Sequence, residues 1–255
     1  MPRQITASGE AQTFLKAFFE AGVGERTLVL TGAGISTESG IPDFRSPGGI
    51  WSTRQPVQYQ DFLTREDARL EDWQRRFEML DFFERATPNA AHLALARLAR
   101  EGLIDLLITQ NVDGLHERAG TPEARLIEIH GNSTYATCLS CGKPAPIAPL
   151  RAHYETGRSP CCEACGGLLK AAVISFGQSM PEAELSRAAS ASLRCDRFIV
   201  IGSSLLVHPA AALPAMAADA GAELVIVNRE ETPLDPLANM LIRSPIAESF
   251  AGVPV

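Results

Sequence analysis

A glycine-rich segment at residues 31–45 directly follows the short apolar run at residues 27–30. The apolar run predicts a buried strand, and a glycine-rich turn after such a strand commonly holds the phosphates of a nucleotide. Gly32 and Gly34 would let the backbone approach an anion without a Cβ in the way. The segment departs from the Gly-x-Gly-x-x-Gly pattern of dehydrogenases, because Thr37 stands at the third glycine position. The sequence therefore predicts a nucleotide site unlike that of a hydride-transfer enzyme.

Short runs rich in Val, Ile and Leu alternate along the chain with segments of helical periodicity. The predicted strands are residues 27–30, 103–108, 198–201 and 224–227, and the predicted helices are residues 14–21, 90–101 and 210–220. This alternation predicts an α/β fold with a doubly wound, Rossmann-like parallel sheet. Ligands of such sheets bind at the carboxyl ends of the strands.

Two stretches interrupt this alternation. Residues 47–86 are charged and aromatic with helical patches, and residues 133–170 hold paired cysteines and turn residues. We expect both to be insertions that together form a smaller module, one helical and the other a zinc ribbon. The Rossmann-like, nucleotide-binding domain would then comprise residues 1–46, 87–132 and 171–255.

Four of the six cysteines fall into two close pairs: Cys138 with Cys141, and Cys162 with Cys165. Each Cys-x2-Cys turn can present two thiolates, and four thiolates complete the tetrahedral shell of a structural Zn²⁺. We therefore expect one zinc ion per chain, with reduced cysteines and no metal as the alternative. Cys161 adjoins one pair and could compete with its neighbour.

Polar residues follow three of the predicted strands. Gln110, Asn111 and Asp113 could hydrogen-bond ribose hydroxyls and an amide, although such runs are also typical of plain turns. The segments Gly202-Ser203-Ser204 and Asn228-Arg229-Glu230 follow the two later strands and have the same two interpretations.

His130 lies between apolar Ile129 and Gly131, which leaves room for a ligand. An unperturbed imidazole has a pKa of about 6.5 and can act as a general base near neutral pH. The alternative is a histidine whose hydrogen bonds are satisfied within the protein.

The chain carries a formal net charge of −7, which weakly disfavours nucleic-acid binding and permits a basic protein partner. No apolar run approaches the roughly 18 residues needed to span a bilayer, and the amino-terminal residues do not have the pattern of a signal peptide. We expect a cytoplasmic protein that binds neither nucleic acid nor membrane.

Taken together and in order, these motifs resemble those of the sirtuins, a family of NAD-dependent protein lysine deacylases. The resemblance extends from about residue 27 to residue 250. The motifs are Gly-Ala-Gly-Ile-Ser at 32–36, Ser-Gly-Ile-Pro-Asp-Phe-Arg at 39–45, Thr-Gln-Asn-Val-Asp-Gly-Leu-His at 109–116, His130-Gly131, the paired cysteines, Phe176-Gly177, Gly-Ser-Ser-Leu at 202–205 and Asn228.

The resemblance implies that NAD is consumed as a co-substrate, with nicotinamide and O-acyl-ADP-ribose as products. It implies His130 as the general base, Asn111 as a second catalytic residue, and Phe44 as a shield over the reacting sugar carbon. Asp113 would bind the nicotinamide carboxamide. The full set of implied NAD contacts is Gly32, Ala33, Gly34, Ser36, Asp43, Phe44, Arg45, Gln110, Asn111, Asp113, Gly202, Ser203, Ser204, Asn228, Arg229, Glu230 and Ile246.

The resemblance also implies an acyl-lysine protein or peptide as the second substrate, bound between the two modules as an added strand. Ile174, Phe176 and Gly177 match the tunnel for the lysine stem, although Ile174 and Phe176 could instead form the core face of a strand. Members that prefer succinyl or malonyl groups carry Tyr-x-x-Arg in the helical insertion. Here only Trp73-x-x-Arg76 echoes it, so we expect acetyl or longer neutral acyl groups.

Two further functions remain open from the sequence. A mono-ADP-ribosyltransferase of the same fold would need the same NAD loop. A non-catalytic NAD-sensing zinc scaffold is the other alternative, and the presence of His130, Asn111 and Asp113 disfavours it.

Overall fold

The computed structural model describes residues 2–42 and 55–253. Its strands are β1 (Arg3–Ile5), β2 (Thr27–Thr31), β3 (Leu106–Thr109), β4 (Leu126–Glu128), β5 (Gly131–Cys138), β6 (Pro144–Pro146), β7 (Leu169–Val173), β8 (Arg197–Ile201), β9 (Glu223–Val227) and β10 (Met240–Ile242). Its α-helices are α1 (Ser8–Ala21), α2 (Tyr59–Thr64), α3 (Glu66–Arg85), α4 (Ala90–Glu101), α5 (Leu115–Arg118), α6 (Leu150–Tyr154), α7 (Glu182–Ser192), α8 (Leu213–Asp219) and α9 (Ile246–Phe250).

The larger sheet has seven strands in the order β1-β10-β9-β8-β2-β3-β4. Every neighbouring pair in it is parallel. From β2 the chain first builds outward through β3 and β4, then returns to the other side of β2 to form β8, β9 and β10. The strand order therefore reverses between β2 and β8, and a ligand crevice is expected beyond their carboxyl ends.

Helices cover both faces of this sheet. On one face, Leu15 of α1, Leu98 of α4 and Phe250 of α9 pack with Val29 and Leu107. On the other face, residues of α7 and α8 pack against the alternate residues of the same strands. Because both faces are buried, the central strands are apolar at nearly every position, which is why they stand out in the sequence.

The smaller sheet has three antiparallel strands in the order β6-β5-β7. Helix α3 packs against it, and Trp73 and Phe77 share a buried cluster with Leu169, Ala171 and Val173 of β7. The helical and the cysteine-bearing segments thus have one hydrophobic core in common. The predicted fold class, a doubly wound sheet with a smaller module built from two insertions, is confirmed.

Some predicted element boundaries were wrong. The apolar run 103–108 is only partly strand, because Gly102 ends α4 in the left-handed region and the Leu103 N–H donates to the Leu98 carbonyl. Ile104 is in the turn that follows α4 and is buried in the core. Strand β3 begins at Leu106. The predicted helix 210–220 consists of a 3-10 turn and the shorter α8.

None of the helices in the described ranges combines the length and the apolar character that crossing a membrane requires.

The turns that follow β2 and β8 are in direct contact. The Gly32 N–H donates to the Ile201 carbonyl at 3.0 Å, and the Gly34 N–H donates to the Gly202 carbonyl at 2.8 Å. Gly202 has φ +66°, and a Cβ there would lie 2.4 Å from the Ile35 nitrogen. The glycines therefore allow two backbone segments to pack against each other at the end of the sheet.

We expect Gly202→Ala to destabilise the protein by about 2–4 kcal/mol, because it adds left-handed strain to a clash with backbone atoms. Gly9→Ala is the matched control, since Gly9 lies in α1 and a methyl group added there would meet nothing within 4 Å. The control should stabilise the protein by about 0.5–1 kcal/mol. Thermal and urea unfolding measure both, and equal stability of the two variants would contradict the packing argument.

Candidate active site

A cavity of about 690 Å³ lies beyond the carboxyl ends of β2 and β8, between the large sheet and the smaller module. Met79 of α3 forms part of its wall on one side, and Gly202 forms part on the other. Its size is within the usual range for ligand and cofactor sites.

Most residues predicted from the sequence line this single cavity. They are Gly32, Ala33, Gly34, Gln110, Asn111, His130, Ile174, Phe176, Gly177, Gly202, Ser203, Ser204, Asn228, Arg229, Glu230 and Ile246. Ser36 and Asp113 do not line it and are buried behind Asn111. Asp43, Phe44 and Arg45 lie outside the described residues.

His130 lies on the two-residue connection between β4 and β5. Its Nδ1 is 3.0 Å from the Gln110 carbonyl oxygen. Because a carbonyl can only accept, Nδ1 carries the proton and the ring lone pair is on Nε2. The Ile174 N–H donates to the His130 carbonyl at 2.8 Å, which fixes the backbone as well. The imidazole is therefore held in the tautomer that a general base requires.

The Gln110 side chain connects this histidine to the far strand of the crevice. Its Nε2 donates to the Ser203 hydroxyl at 2.8 Å, and the Leu205 N–H donates to the same hydroxyl at 3.2 Å. One residue thus supports the imidazole through its backbone and the turn after β8 through its side chain.

Ser36, Asn111 and Asp113 form a buried polar cluster. The Ser36 hydroxyl donates to Asp113 Oδ2 at 2.7 Å and accepts from Asn111 Nδ2 at 3.1 Å. The Leu115 N–H donates to the other Asp113 oxygen at 2.9 Å. Hydrogen bonds from Leu115 and Ser36 lower the pKa of Asp113, but burial outweighs them and raises this pKa above its usual value.

Two buried histidines lie beneath this cluster, with ring centroids 4.9 Å apart. His116 Nε2 is 2.9 Å from the Thr31 hydroxyl, and His92 Nε2 is 3.4 Å from the Ser36 hydroxyl. Burial lowers the pKa of His92 to about 4 and that of His116 well below its usual value. Both imidazoles are therefore neutral at physiological pH, so the floor of the site carries no added positive charge.

The far end of the cavity is shaped by the turn after β9. Asn228 Nδ2 donates to the Glu230 carbonyl at 2.9 Å, which folds the turn on itself. The Arg243 guanidinium donates to the Asn228 and Glu230 carbonyls, both at 2.7 Å. Ile246, the first residue of α9, closes this end.

The module side of the cavity includes two arginines, each with an acidic partner. Arg76 Nη2 lies 3.0 Å from Asp72, whose carboxylate is buried. Arg75 is paired with Glu71. Trp73 is fully buried and stacks on Phe77, so its ring belongs to the core of the module.

The segment after β7 forms the lip of the cavity. The strand ends at Val173, Ile174 is half-buried, and Phe176 is 45% exposed. The possibility that Phe176 forms the core face of a strand is therefore wrong, since the chain has left the small sheet before it. The Tyr59 N–H donates to the Phe176 carbonyl at 2.9 Å, which ties this lip to α2.

The four paired cysteines form one cluster, with all their sulfurs within 4.8 Å of one another. Cys138 Sγ lies 3.5 Å from Cys165 Sγ, and Cys141 Sγ lies 3.8 Å from Cys162 Sγ. A tetrahedral zinc with Zn–S bonds of about 2.3 Å requires sulfurs about 3.8 Å apart.

The two unpaired cysteines lie outside this cluster. Cys161 is exposed and contacts the Ser159 carbonyl. Cys195 is a buried thiol, and burial raises its pKa to about 11.

Several residues around the site did not emerge from the sequence. His92 lies beneath it, and Glu38, His208 and Ser244 line the cavity. His116 belongs to the motif at 109–116, but the sequence assigned it no place beneath the site. Asn is a common helix-capping residue, and Asn89 does cap α4, where His92 completes a capping box in place of the usual Glu or Gln. That pattern reveals the cap but gives no sign of the site that it adjoins.

The sequence model of the Sir2 family matches residues 32–209. The NAD-dependent protein deacetylase of Rhodopseudomonas palustris is 50% identical over 221 residues, which cover 86% of this chain and 87% of that protein. NAD-dependent protein deacylase 2 of Archaeoglobus fulgidus is 39% identical over 219 residues, which cover 86% of this chain and 85% of that protein.

Solved structures agree with these sequence relatives. A Sir2 protein with a p53 peptide and NAD⁺ superposes with a TM-score of 0.83 at 37% identity, covering 92% of this chain and 95% of that one. A Sir2 protein bound to a propionylated peptide gives a TM-score of 0.80 at 36% identity, with the same coverage of both chains. The match over most of the length, in sequence and in structure, shows that this chain belongs to the Sir2 family.

Proposed function

We propose that this protein is an NAD-dependent protein lysine deacylase that removes acetyl or longer neutral acyl groups. The observation that carries the proposal is the orientation of His130. Its Nδ1 contacts the Gln110 carbonyl, so its basic Nε2 lies on the opposite side of the ring. It lines a cavity large enough for a dinucleotide at the point where the strand order reverses. The names of the relatives, deacetylase and deacylase, support the same reaction.

NAD would supply a sugar carbon that can be attacked and nicotinamide as the leaving group. His130 Nε2 would accept a proton from a ribose hydroxyl, while Gln110 holds the imidazole in the required tautomer. Asn111 would bind ribose or a water, with its amide held from behind by the Ser36 hydroxyl. Asp113 would approach the nicotinamide carboxamide, and Ser36 would support the turn that holds the pyrophosphate. The remaining contacts with NAD would come from Gly32, Ala33, Gly34, Asp43, Phe44, Arg45, Gly202, Ser203, Ser204, Asn228, Arg229, Glu230 and Ile246.

The acyl-lysine substrate would enter beside Ile174, Phe176 and Gly177, between the module and the sheet. The preference for neutral acyl groups is supported by the module wall. Arg75 and Arg76 are both engaged by carboxylates, so an acyl carboxylate would have to displace an existing ion pair.

Zinc would be held by the four clustered cysteines, whose sulfur separations fit a tetrahedral ion. With four thiolates the metal has no position for substrate, so its role would be structural. A thiolate zinc site requires reducing surroundings, which supports a cytoplasmic location. The shared core of α3 and β7 supports the proposed division into a Rossmann-like domain and a two-insertion module.

The proposed reaction predicts nicotinamide release that depends on an acyl-peptide. Purified protein is incubated with labelled NAD and a panel of acetyl-, butyryl- and succinyl-lysine peptides, and nicotinamide and O-acyl-ADP-ribose are quantified. We expect both products with the neutral acyl groups. Equal NAD turnover with and without peptide would contradict deacylation, and label transferred to protein would indicate an ADP-ribosyltransferase instead.

His130→Ala should lower the rate of deacylation by about 10²–10⁴-fold, the usual contribution of a general base. NAD binding should be largely retained, because the imidazole acts after the co-substrate is bound. Steady-state kinetics and calorimetric titration with NAD separate the two effects. His153→Ala is the matched control, since His153 is an exposed imidazole on α6 outside the cavity. Unchanged deacylation by the His130 variant would refute the assigned role.

Cys138→Ser should reduce the zinc content from one ion per chain to nearly none and lower the melting temperature of the module. The reason is that metal binding contributes directly to the folding of such small segments. Cys161→Ser, which removes the neighbouring thiol outside the cluster, should retain full zinc content. Elemental analysis and thermal unfolding make the comparison, and a full zinc complement in the Cys138 variant would overturn the ligand assignment.

A further inference from the structure

The connection that carries His130 joins the two sheets of the molecule. Strand β4, at the edge of the large sheet, ends at Glu128, and β5 of the small sheet begins at Gly131. Only Ile129 and His130 lie between them. The angle between the two sheets at this point therefore decides where the imidazole lies relative to the cavity.

A side-chain contact spans this connection. Asn132 Nδ2 lies 2.9 Å from Glu128 Oε1 and 3.1 Å from Glu128 Oε2, so the amide group faces both carboxylate oxygens. Asn132 is 1% exposed, and its Oδ1 accepts from the Thr134 N–H at 2.8 Å and from the Thr134 hydroxyl at 2.7 Å. Every polar atom of this buried amide is thus used, and its orientation is determined by its partners.

Strand pairing supports the connection only at the first residue of β5, where Gly131 pairs with Val173 and the Ile174 N–H donates to the His130 carbonyl. The pairing of β5 with β7 shifts register between Gly131 and Ala136, so the residues between them are not held by a regular ladder. The Ser133 N–H donates to the Val112 carbonyl at 2.8 Å, which anchors the irregular segment to the loop that carries Asn111. Asn132 lies at the start of this irregular segment, and its side chain contacts both Glu128 and Thr134.

We propose that Glu128 and Asn132 are positioning residues that lock the two sheets together across His130 and so align its imidazole for proton transfer. This inference rests on the proposed function, in which His130 is the general base. Glu128 and Asn132 act through the backbone that carries His130 and are absent from the cavity lining.

The surroundings of Glu128 make the contact sensitive to pH. The titratable groups that act on it or respond to it are Glu117 of α5, Asp113 before that helix, and Tyr135 of β5. Burial raises the pKa of Glu128 to about 7. The hydrogen bond from Asn132 lowers this pKa, whereas repulsion from Glu117 and Asp113 raises it further. A protonated carboxyl turns one of its two acceptors into a donor that faces the Asn132 amide, so the contact weakens below that pH.

The raised pKa also has a consequence for stability. An unfolded glutamate has a pKa of about 4.3, so the folded state favours the protonated form. The contribution of Glu128 to folding stability is fully present when the pH is below the pKa of the unfolded state. This contribution is lost as the pH rises through about 7. The ionised contact is therefore maintained at a cost to folding, which is typical of groups that serve a site.

The test is the pH dependence of kcat and of KM for NAD between pH 5.5 and 8.5. For the wild type we expect log kcat to fall on the acid side with a slope greater than one per pH unit. The reason is that Glu128 and His130 both lose function as they are protonated. Glu128→Gln imitates the protonated carboxyl, and its plateau kcat should fall about tenfold because the base is misaligned. Its KM for NAD should stay within about twofold of the wild-type value. On the acid side, its log kcat should fall with the slope of a single protonation.

A swapped pair provides the rescue. Glu128→Gln combined with Asn132→Asp restores a donor opposite an acceptor, and the new carboxylate can still accept from Thr134. We expect this double variant to regain a plateau kcat within about threefold of the wild type. A merely structural defect would instead make the double variant worse than either single change. Thermal unfolding and zinc content establish that each variant is folded.

Glu117→Gln is the matched control, because it removes a nearby exposed carboxylate without altering the contact. Its plateau kcat should be unchanged, and its acid limb should move to lower pH by a few tenths of a unit. An unchanged plateau and acid limb in Glu128→Gln would overturn the proposal.

A second readout does not depend on turnover. In the wild type, the side-chain amide signals of Asn132 in NMR spectra should shift between pH 6 and 8, and this shift should vanish in Glu128→Gln. Absence of nicotinamide release by the wild type would refute the proposed function alone. Asn132 signals that do not move with pH would refute the contact itself.

Discussion

The architecture of the site depends on the close approach of two backbone turns at the end of the large sheet. Gly32, Gly34 and Gly202 bring the turns after β2 and β8 within hydrogen-bonding distance, with no side chains between them. This contact closes the end of the sheet where the strand order reverses and leaves the crevice above it open. The cavity, the polar cluster behind it and the histidine at its side are all arranged around this contact.

The site combines a half-buried base that lines the cavity with a strongly buried polar interior. His130 is oriented by a backbone carbonyl, which cannot titrate, so its tautomer does not depend on the ionisation of a partner. Behind it, burial keeps His92 and His116 neutral and raises the pKa of Asp113. The interior thus holds its donors and acceptors in fixed directions and adds no positive charge from its histidines, which is the kind of preorganisation that catalysis requires.

The sequence predicts the central part of the fold well because β2, β8 and β9 are buried on both faces and read as continuous apolar runs. The edge strands β1 and β4, and β10 beside β1, have three residues each, too few for any periodicity. The candidate site residues were brought together mostly as expected, since strand ends in a parallel sheet converge. Sequence could not predict that Ser36 and Asp113 face inward, because their direction is set by partners from distant segments, Asn111 and Leu115 among them. The positions of His92 and His116 beneath the site were not predicted for the same reason.

The ion-paired arginines on the module wall underlie the proposed preference for neutral acyl groups. With Arg75 and Arg76 each engaged by a carboxylate, and Met79 beside them, selection would rest on shape and on apolar contact. One methylene in an apolar pocket changes binding by only about 1–3 kcal/mol, and methionine adapts readily to different shapes. Affinity for acyl groups would therefore change only gradually with chain length along such a wall. The proposed deacylase would accept a broad and overlapping range of substrates.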